Sequence, residues 1–146
     1  MIGIDSNFLI ACQLPEHLQH LAVRKVLNQI VDEGERFAIA PQVLAEFVHI
    51  VTDGRRVQVP HTMEQALAEA DLWRTAVDVD LLAPSADAVE LFFQWMRQFR
   101  LGRKRVLDTL LAATYAAAGV DKIATIDVGD FQVFGCFELI APSSPA

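Results

Sequence analysis

Cysteine is scarce: Cys12 and Cys136 are the two in 146 residues. Two are too few for a disulfide framework and lack metal-site spacing, so buried free thiols in a reducing cytoplasm are expected. Long apolar runs are missing as well. Glu46 and Asp108 interrupt the two longest stretches, which argues against a membrane span and a membrane partner. The start, Met1-Ile2-Gly3-Ile4, has no basic flank and runs into Asp5, unlike a secretory signal. There is no internal repeat, low-complexity block or linker; residues 1–141 read as one domain and 142–146 as a tail that frays. Positive charge is in short supply, with 12 Lys and Arg against 19 Asp and Glu and a formal net charge of -7. Taken alone, that balance argues against holding nucleic acid by phosphate neutralisation.

What is present is apolar residue, 53% of the chain with mean hydropathy +0.30, enough to build a sizeable core. Strand-length apolar runs stand at Ile2 to Ile4, Phe37 to Ala40, Val79 to Ala83, Ile123 to Ile126 and Phe137 to Ile140. Helical periodicity fills the intervals. Val23, Val26, Leu27, Ile30 and Val31 share a face that stops before Gly34. Pro41 opens a helix carrying Val43, Leu44, Phe47, Val48 and Val51, ended near Asp53-Gly54. Thr62 and Gln65 have capping-box spacing ahead of Met63, Ala66, Leu67 and Ala70, and Ser85 caps a helix expected to bury Val89, Phe92, Phe93 and Met96. A last helix places Leu107, Leu110, Leu111, Thr114 and Ala118 on one side and ends at Gly119. Alternating strands and helices without hairpin signals predict a single three-layer α/β/α domain around a mostly parallel sheet.

In such sheets reacting groups collect beyond the C-terminal ends of strands, where strand order reverses. Asp5 stands directly after the first run, as a site acid or a helix cap. Asp127 and Asp130 follow the fourth, in Thr125-Ile126-Asp127-Val128-Gly129-Asp130-Phe131, where a plain turn is the other reading. Glu46 falls at the edge of its helix's apolar face, and Asp108 lies in the first turn of the Ala-rich helix, where the helix dipole favours an anion. Were these acids to converge at about 5 Å, each pair would repel by roughly 3 kcal/mol at an effective dielectric near 20, and a cation would be needed. All-oxygen ligation selects Mg²⁺ or Mn²⁺ over zinc.

Asp5-Ser6-Asn7 after a first strand, an isolated Glu46 on an early helix, Asp108 opening a late Ala-rich helix, and Thr125-x-Asp127-x-x-Asp130-Phe131 together resemble a PIN domain, most of all the VapC-like toxins of toxin-antitoxin pairs. The resemblance runs over nearly the whole chain. It implies a PIN-like fold and a cytoplasmic, Mg²⁺- or Mn²⁺-dependent endoribonuclease, often a homodimer, inhibited by a small cognate antitoxin. By the same resemblance Asp5, Glu46, Asp108 and Asp127 are the catalytic and metal-binding acids. Asp130 is a further ligand or a turn residue. Ser6 is expected to orient Asp5 or a water through its hydroxyl, and Thr125 to support the site. The chemistry implied is hydrolysis of an RNA phosphodiester.

An RNA partner needs local positive charge. Arg97, Arg100, Arg103, Lys104 and Arg105 supply it in a segment free of acids just before Asp108, with Arg55 and Arg56 as a second candidate patch. A solvated helix end explains the same bases without RNA. Two metal ions would bring the formal charge from -7 to -3, so RNA binding should be weak without metal and sensitive to salt. The rival function is a non-catalytic PIN-like RNA- or protein-binding module. Receiver-like and phosphatase-like readings fit poorly, because the chain has neither an acid pair nor Asp-x-Asp after the first strand and no Lys after Ile123.

Overall fold

The computed structural model describes residues 1–143; residues 144–146 of the expected tail lie outside the described residues. Five short strands form the sheet: β1 (Ile2–Ile4), β2 (Phe37–Ile39), β3 (Val79–Leu81), β4 (Lys122–Ala124) and β5 (Glu138–Ile140). All pair in parallel, in the order β3-β2-β1-β4-β5, with Gly3 opposite Ala38 on one side and Ile123 on the other. The chain builds outward from β1 to β3, then crosses back to β4 and β5. The reversal therefore falls between β1 and β4. Helices cover the sheet as a three-layer α/β/α domain, as the alternation of runs predicts.

The helices are α1 (Ser6–Gln13), α2 (His20–Asp32), α3 (Pro41–Val51), α4 (Met63–Arg74), α5 (Ala86–Gln98), α6 (Val106–Ala117) and α7 (Gly129–Gln132), with a 3-10 turn at Arg103–Arg105 leading into α6. Their starts follow local chemistry. Pro41 is the first residue of α3, where its missing N–H costs no hydrogen bond. Thr62 and Gln65 form a complete capping box: Thr62 Oγ1 accepts from the Gln65 N–H at 3.1 Å, and Gln65 Oε1 accepts from the Thr62 N–H at 2.9 Å. Thr62→Ala should lower unfolding free energy by about 1 kcal/mol, read as a shift in the urea midpoint; no shift would mean that packing alone fixes the start of α4.

The core is fully buried Ile4, Ile39 and Ile123 from the sheet, with Phe8, Phe47, Leu111 and Phe131 from the layers above and below it. Tyr115 on α6 ties the layers together. Its hydroxyl donates to the Ile4 carbonyl at 2.6 Å and accepts from the Ala40 N–H at 3.3 Å, joining β1 to the start of α3. Its ring lies against Gly3, where a Cβ would sit 2.6 Å from a ring carbon.

Three expectations need correction. On α5 the buried residues are Ala88 and Trp95, while Val89 and Phe93 are 43% and 50% exposed; Phe92 is half-buried and Met96 likewise. Two apolar faces overlap on this helix, and Trp95 selects the inner one by stacking on Phe134 with ring centroids 4.6 Å apart. On α6 the buried face runs through Thr109, Leu111, Ala112, Ala113, Thr114 and Tyr115, so Leu111 and Thr114 lie inside as expected, while Leu107 is 63% exposed and Ala118 is at the surface. Of the two thiols, Cys12 is buried but Cys136, in the loop after α7, is exposed.

Candidate active site

The C-terminal ends of β1 and β4 open side by side at the reversal of strand order, the crevice where ligands gather in open α/β sheets. Asp5 is the floor. It caps α1, with Oδ1 accepting from the Ser6 N–H at 2.8 Å, and Oδ2 accepts from the Thr125 hydroxyl at 2.7 Å. Only 4% of the residue is exposed. The capping reading of Asp5 is thus what its hydrogen bonds show.

Around it stand groups from four other segments. The Ser6 hydroxyl donates to Glu46 Oε2 on α3 at 2.9 Å; Ser6 therefore meets Asp5 through its backbone and Glu46 through its side chain, not Asp5 through the hydroxyl. Thr125 is fully buried and also accepts from the Asp127 N–H at 3.1 Å, fixing the turn after β4. Asn7 bridges the crevice, donating to Asp127 Oδ2 at 2.9 Å and accepting from the Ile126 N–H at 3.1 Å. Asp108 is the third residue of α6, and Asp130 lies on α7.

Electrostatics place these acids in one field. Burial, opposed by the Thr125 hydrogen bond and reinforced by repulsion from Asp108 and Glu46, pushes Asp5 up to about 7. Asp108 rises to about 6 through burial and repulsion from Asp130, with Arg105 opposing and Glu46 and Asp127 adding to the rise. Burial also raises Asp130, against the pull of Arg105. Desolvated carboxylates held against one another are an arrangement that costs stability until positive charge is brought in.

Known proteins share this architecture. No family model matches the chain. Two curated relatives, a VapC ribonuclease of Mycobacterium bovis and ribonuclease VapC43 of Mycobacterium tuberculosis, are each 33% identical over 86 residues, covering 59% of this chain and 54% of the relative. The chain thus spans about half the length of the curated relatives it matches. Among solved structures, the sarcin-ricin loop cleaving toxin VapC20 of Mycobacterium tuberculosis superposes with a TM-score of 0.73 at 20% identity, covering 94% of this chain and 98% of that one. The chain has the VapC fold. VapBC-1 of nontypeable Haemophilus influenzae matches with a TM-score of 0.70 at 17% identity, over 97% and 98% of the two chains. FitAcB of Neisseria gonorrhoeae matches at 0.66 and 17%, also over 97% and 98%.

Within the VapC fold, the donor set facing the crevice is carboxylate, amide and hydroxyl oxygen, which suits a hard divalent cation. Among the described residues no three His, Cys, Asp or Glu side chains are placed to hold one ion together. A largely hydrated cation held by one or two carboxylates, the mode usual for Mg²⁺, would be compatible with that placement.

The bases are divided. Arg103 and Lys104 are exposed on the turn before Asp108, whereas Arg105 turns inward and its Nη2 donates to the Asp130 carbonyl. Arg97 lies over the Phe93 ring at 5.7 Å, and Arg100 sits in the turn after α5 with φ of 51°. Arg55 and Arg56 face Asp53 at 3.3 and 3.8 Å. A groove of about 430 Å³ leads away from Glu46 past Gln42, His49, Arg56 and Leu107. Asn7 and Tyr115 escaped the sequence reading as site residues. Asn7 carried a signal, standing in Asp5-Ser6-Asn7 at the start of α1; Tyr115, as the one tyrosine in a small-residue helix, also stood out.

Proposed function

We propose that this chain is a metal-dependent endoribonuclease that hydrolyses RNA phosphodiesters as the toxin of a toxin-antitoxin pair. What supports the reading most is the mutual repulsion among Asp5, Glu46, Asp108, Asp127 and Asp130, acids that stand on segments spread over more than a hundred residues. Ribonuclease relatives at 33% identity support the activity, and the VapBC and FitAB structures support a small antitoxin protein as partner. The working form is a cytoplasmic homodimer with residues 1–141 as the nuclease domain.

Mg²⁺ or Mn²⁺ would supply water activation and neutralise the charge that develops on the phosphodiester. The chain's own residues set the stage. Asp5 and Asp108 would supply the buried negative field, and Glu46, Asp127 and Asp130 would be the further carboxylates available to hold the cation. Ser6, Asn7 and Thr125 fix the carboxylates' orientation through hydrogen bonds, so little reorganisation remains for the reaction itself. Arg103 and Lys104, with Arg97 and Arg100 behind them, lie on the approach to Asp108 and meet the RNA backbone.

End mapping of RNA incubated with Mg²⁺ or Mn²⁺ tests the proposal. The wild type should cut internally, and chelation or Asp108→Ala should reduce the rate on the order of a hundredfold or more. RNA bound but never cut would identify a binding module instead. Equal cutting by Asp108→Ala, or cutting in chelator, would overturn the mechanism.

A further inference from the structure

Periodicity places Leu107 in the core, yet it is 63% exposed one residue before Asp108. It lines the groove of about 430 Å³ that leaves Glu46, together with Ala45, His49 and Ile50 of α3. That size falls in the range of roughly 300–1,000 Å³ usual for pockets that hold a small ligand. Gln42 fixes the Leu107 wall, its Nε2 donating to the Leu107 carbonyl at 3.0 Å and tying α3 to α6. Ile50 and Arg56 also line a second groove, of about 560 Å³, which continues past Leu14, His17 and Val57. Arg56 is the one Lys or Arg among the described residues that line either.

The loop that carries Arg56 is built. The Arg56 and Val57 N–H groups both donate to the Asp53 carbonyl, at 3.0 and 3.1 Å, Val57 is buried, and the His61 N–H closes the loop on the Val51 carbonyl at 2.8 Å. Asp53 does not neutralise Arg56. Its carboxylate accepts from the Arg55 N–H and Nε at 2.9 and 3.3 Å and stands 3.8 Å from Arg56 Nε, so two guanidiniums share one negative charge. One unit of positive charge is left over, on a side chain that is 61% exposed.

We propose that the groove holds the RNA strand on the Glu46 side of the cut, with a base against Leu107 and a neighbouring phosphate on the Arg56 guanidinium. The inference rests on the ribonuclease reading above. Continuity favours RNA over a protein segment: the groove starts at Glu46 and Leu107, and Leu107 follows directly on the turn where Arg103 and Lys104 lie exposed, so a strand drawn to that turn passes the acids and leaves along the groove. An apolar wall beside a single fixed cation matches the alternation of base and phosphate along one strand. A contact made away from the cut is equally strong before and during the reaction, so Arg56 sets KM and not kcat.

Cleavage of a mixed-sequence, fluorophore- and quencher-labelled single-stranded RNA by the full chain in Mn²⁺, at several salt concentrations, tests this. Arg56→Gln should raise KM about tenfold, leave kcat within about twofold, and lower the slope of log KM against log salt by about 0.7, one phosphate contact on a single strand. Arg56→Lys keeps the charge and should stay within about threefold of the wild-type KM with its slope intact. Leu107→Ser should raise KM about threefold or more with the slope unchanged, because the lost contact is apolar. Lys25→Gln takes the same charge from exposed α2, outside both grooves, and should change neither. Unchanged KM in Arg56→Gln or Leu107→Ser, the result if the groove takes a protein segment instead, overturns the proposal while leaving the ribonuclease reading standing. So does a loss confined to kcat, or an equal effect of Lys25→Gln. Should Arg56→Gln fail to fold, Leu107→Ser decides alone. No cleavage by the wild type overturns the inference and the ribonuclease reading together.

Discussion

Asp5→Asn should cleave RNA at least about a hundredfold more slowly than the wild type, yet unfold at a higher temperature when divalent cations are chelated. Both effects have one origin. Asp5 is almost wholly buried and its folded-state carboxyl is raised from 3.8 to about 7 by burial, with Asp108 and Glu46 repelling it and the hydrogen bonds from Thr125 and Ser6 opposing. The sign follows by linkage. Between about pH 4 and 7 the folded chain holds a proton that the unfolded chain has released, so stability falls as pH rises through that window. Above it the full cost of an ionised Asp5 is present, up to about 1.4 kcal/mol for each tenfold difference in proton affinity between the folded and unfolded chain.

An amide in that place is neutral at every pH. It can still accept from the Ser6 N–H, and the Thr125 hydroxyl can turn to accept from it while donating to Asn7 Oδ1, 3.3 Å away. Melting in chelator at pH 5 and pH 8 checks the claim: the wild type should lose roughly 5–10 °C between the two, and Asp5→Asn clearly less. Asp108, raised to about 6, leaves a smaller residual slope of the same sign. Parallel pH dependence in the two proteins would show that Asp5 is not the source.

Gly3→Ala should be the most destabilising single methyl in the chain, costing about 3 kcal/mol. The new carbon would lie 2.6 and 2.7 Å from two ring carbons of Tyr115, which is fully buried and cannot swing away without giving up the Ile4 carbonyl and the Ala40 N–H. The alternative is to lift α6 from β1, which moves Asp108 relative to Asp5 and should cost activity too. Urea denaturation of Gly3→Ala, Tyr115→Leu and the double variant gives the coupling directly. The pair should be less destabilised than the sum of the singles by about 1 kcal/mol or more; strict additivity would mean that the ring is not what Gly3 accommodates.

These two sites mark how far the residues alone could be read. All five strands stand where short apolar runs predict them, and α3, α4 and α5 begin at Pro41, Thr62 and Ser85, because such signals act within a few residues. Asp5, Glu46, Asp108, Asp127 and Asp130 were legible as candidates because acids in apolar surroundings are conspicuous. What escaped depends on contacts distant in sequence. The inner face of α5 is chosen by Phe134, the exposure of Leu107 by how α6 meets the sheet, the bridging of Asn7 by a turn 119 residues later, and the inward course of Arg105 by Asp130. Periodicity can say that a helix has an apolar side, not which of two overlapping sides wins.

The bond from Thr125 to Asp5 joins residues 120 apart in the chain. On a ribosome adding roughly 5–20 residues each second, about 6–24 s separate their synthesis, and the exit of Thr125 comes later still. Until then β1 lacks its neighbour β4, Asn7 lacks Asp127, and Asp5 is a lone acid on an unfinished sheet. The site thus cannot exist on a nascent chain that still lacks its last strands. A protein whose proposed substrate is RNA would be made on an RNA machine, and this topology would withhold its active centre until the segment through β4 and Thr125 has been made.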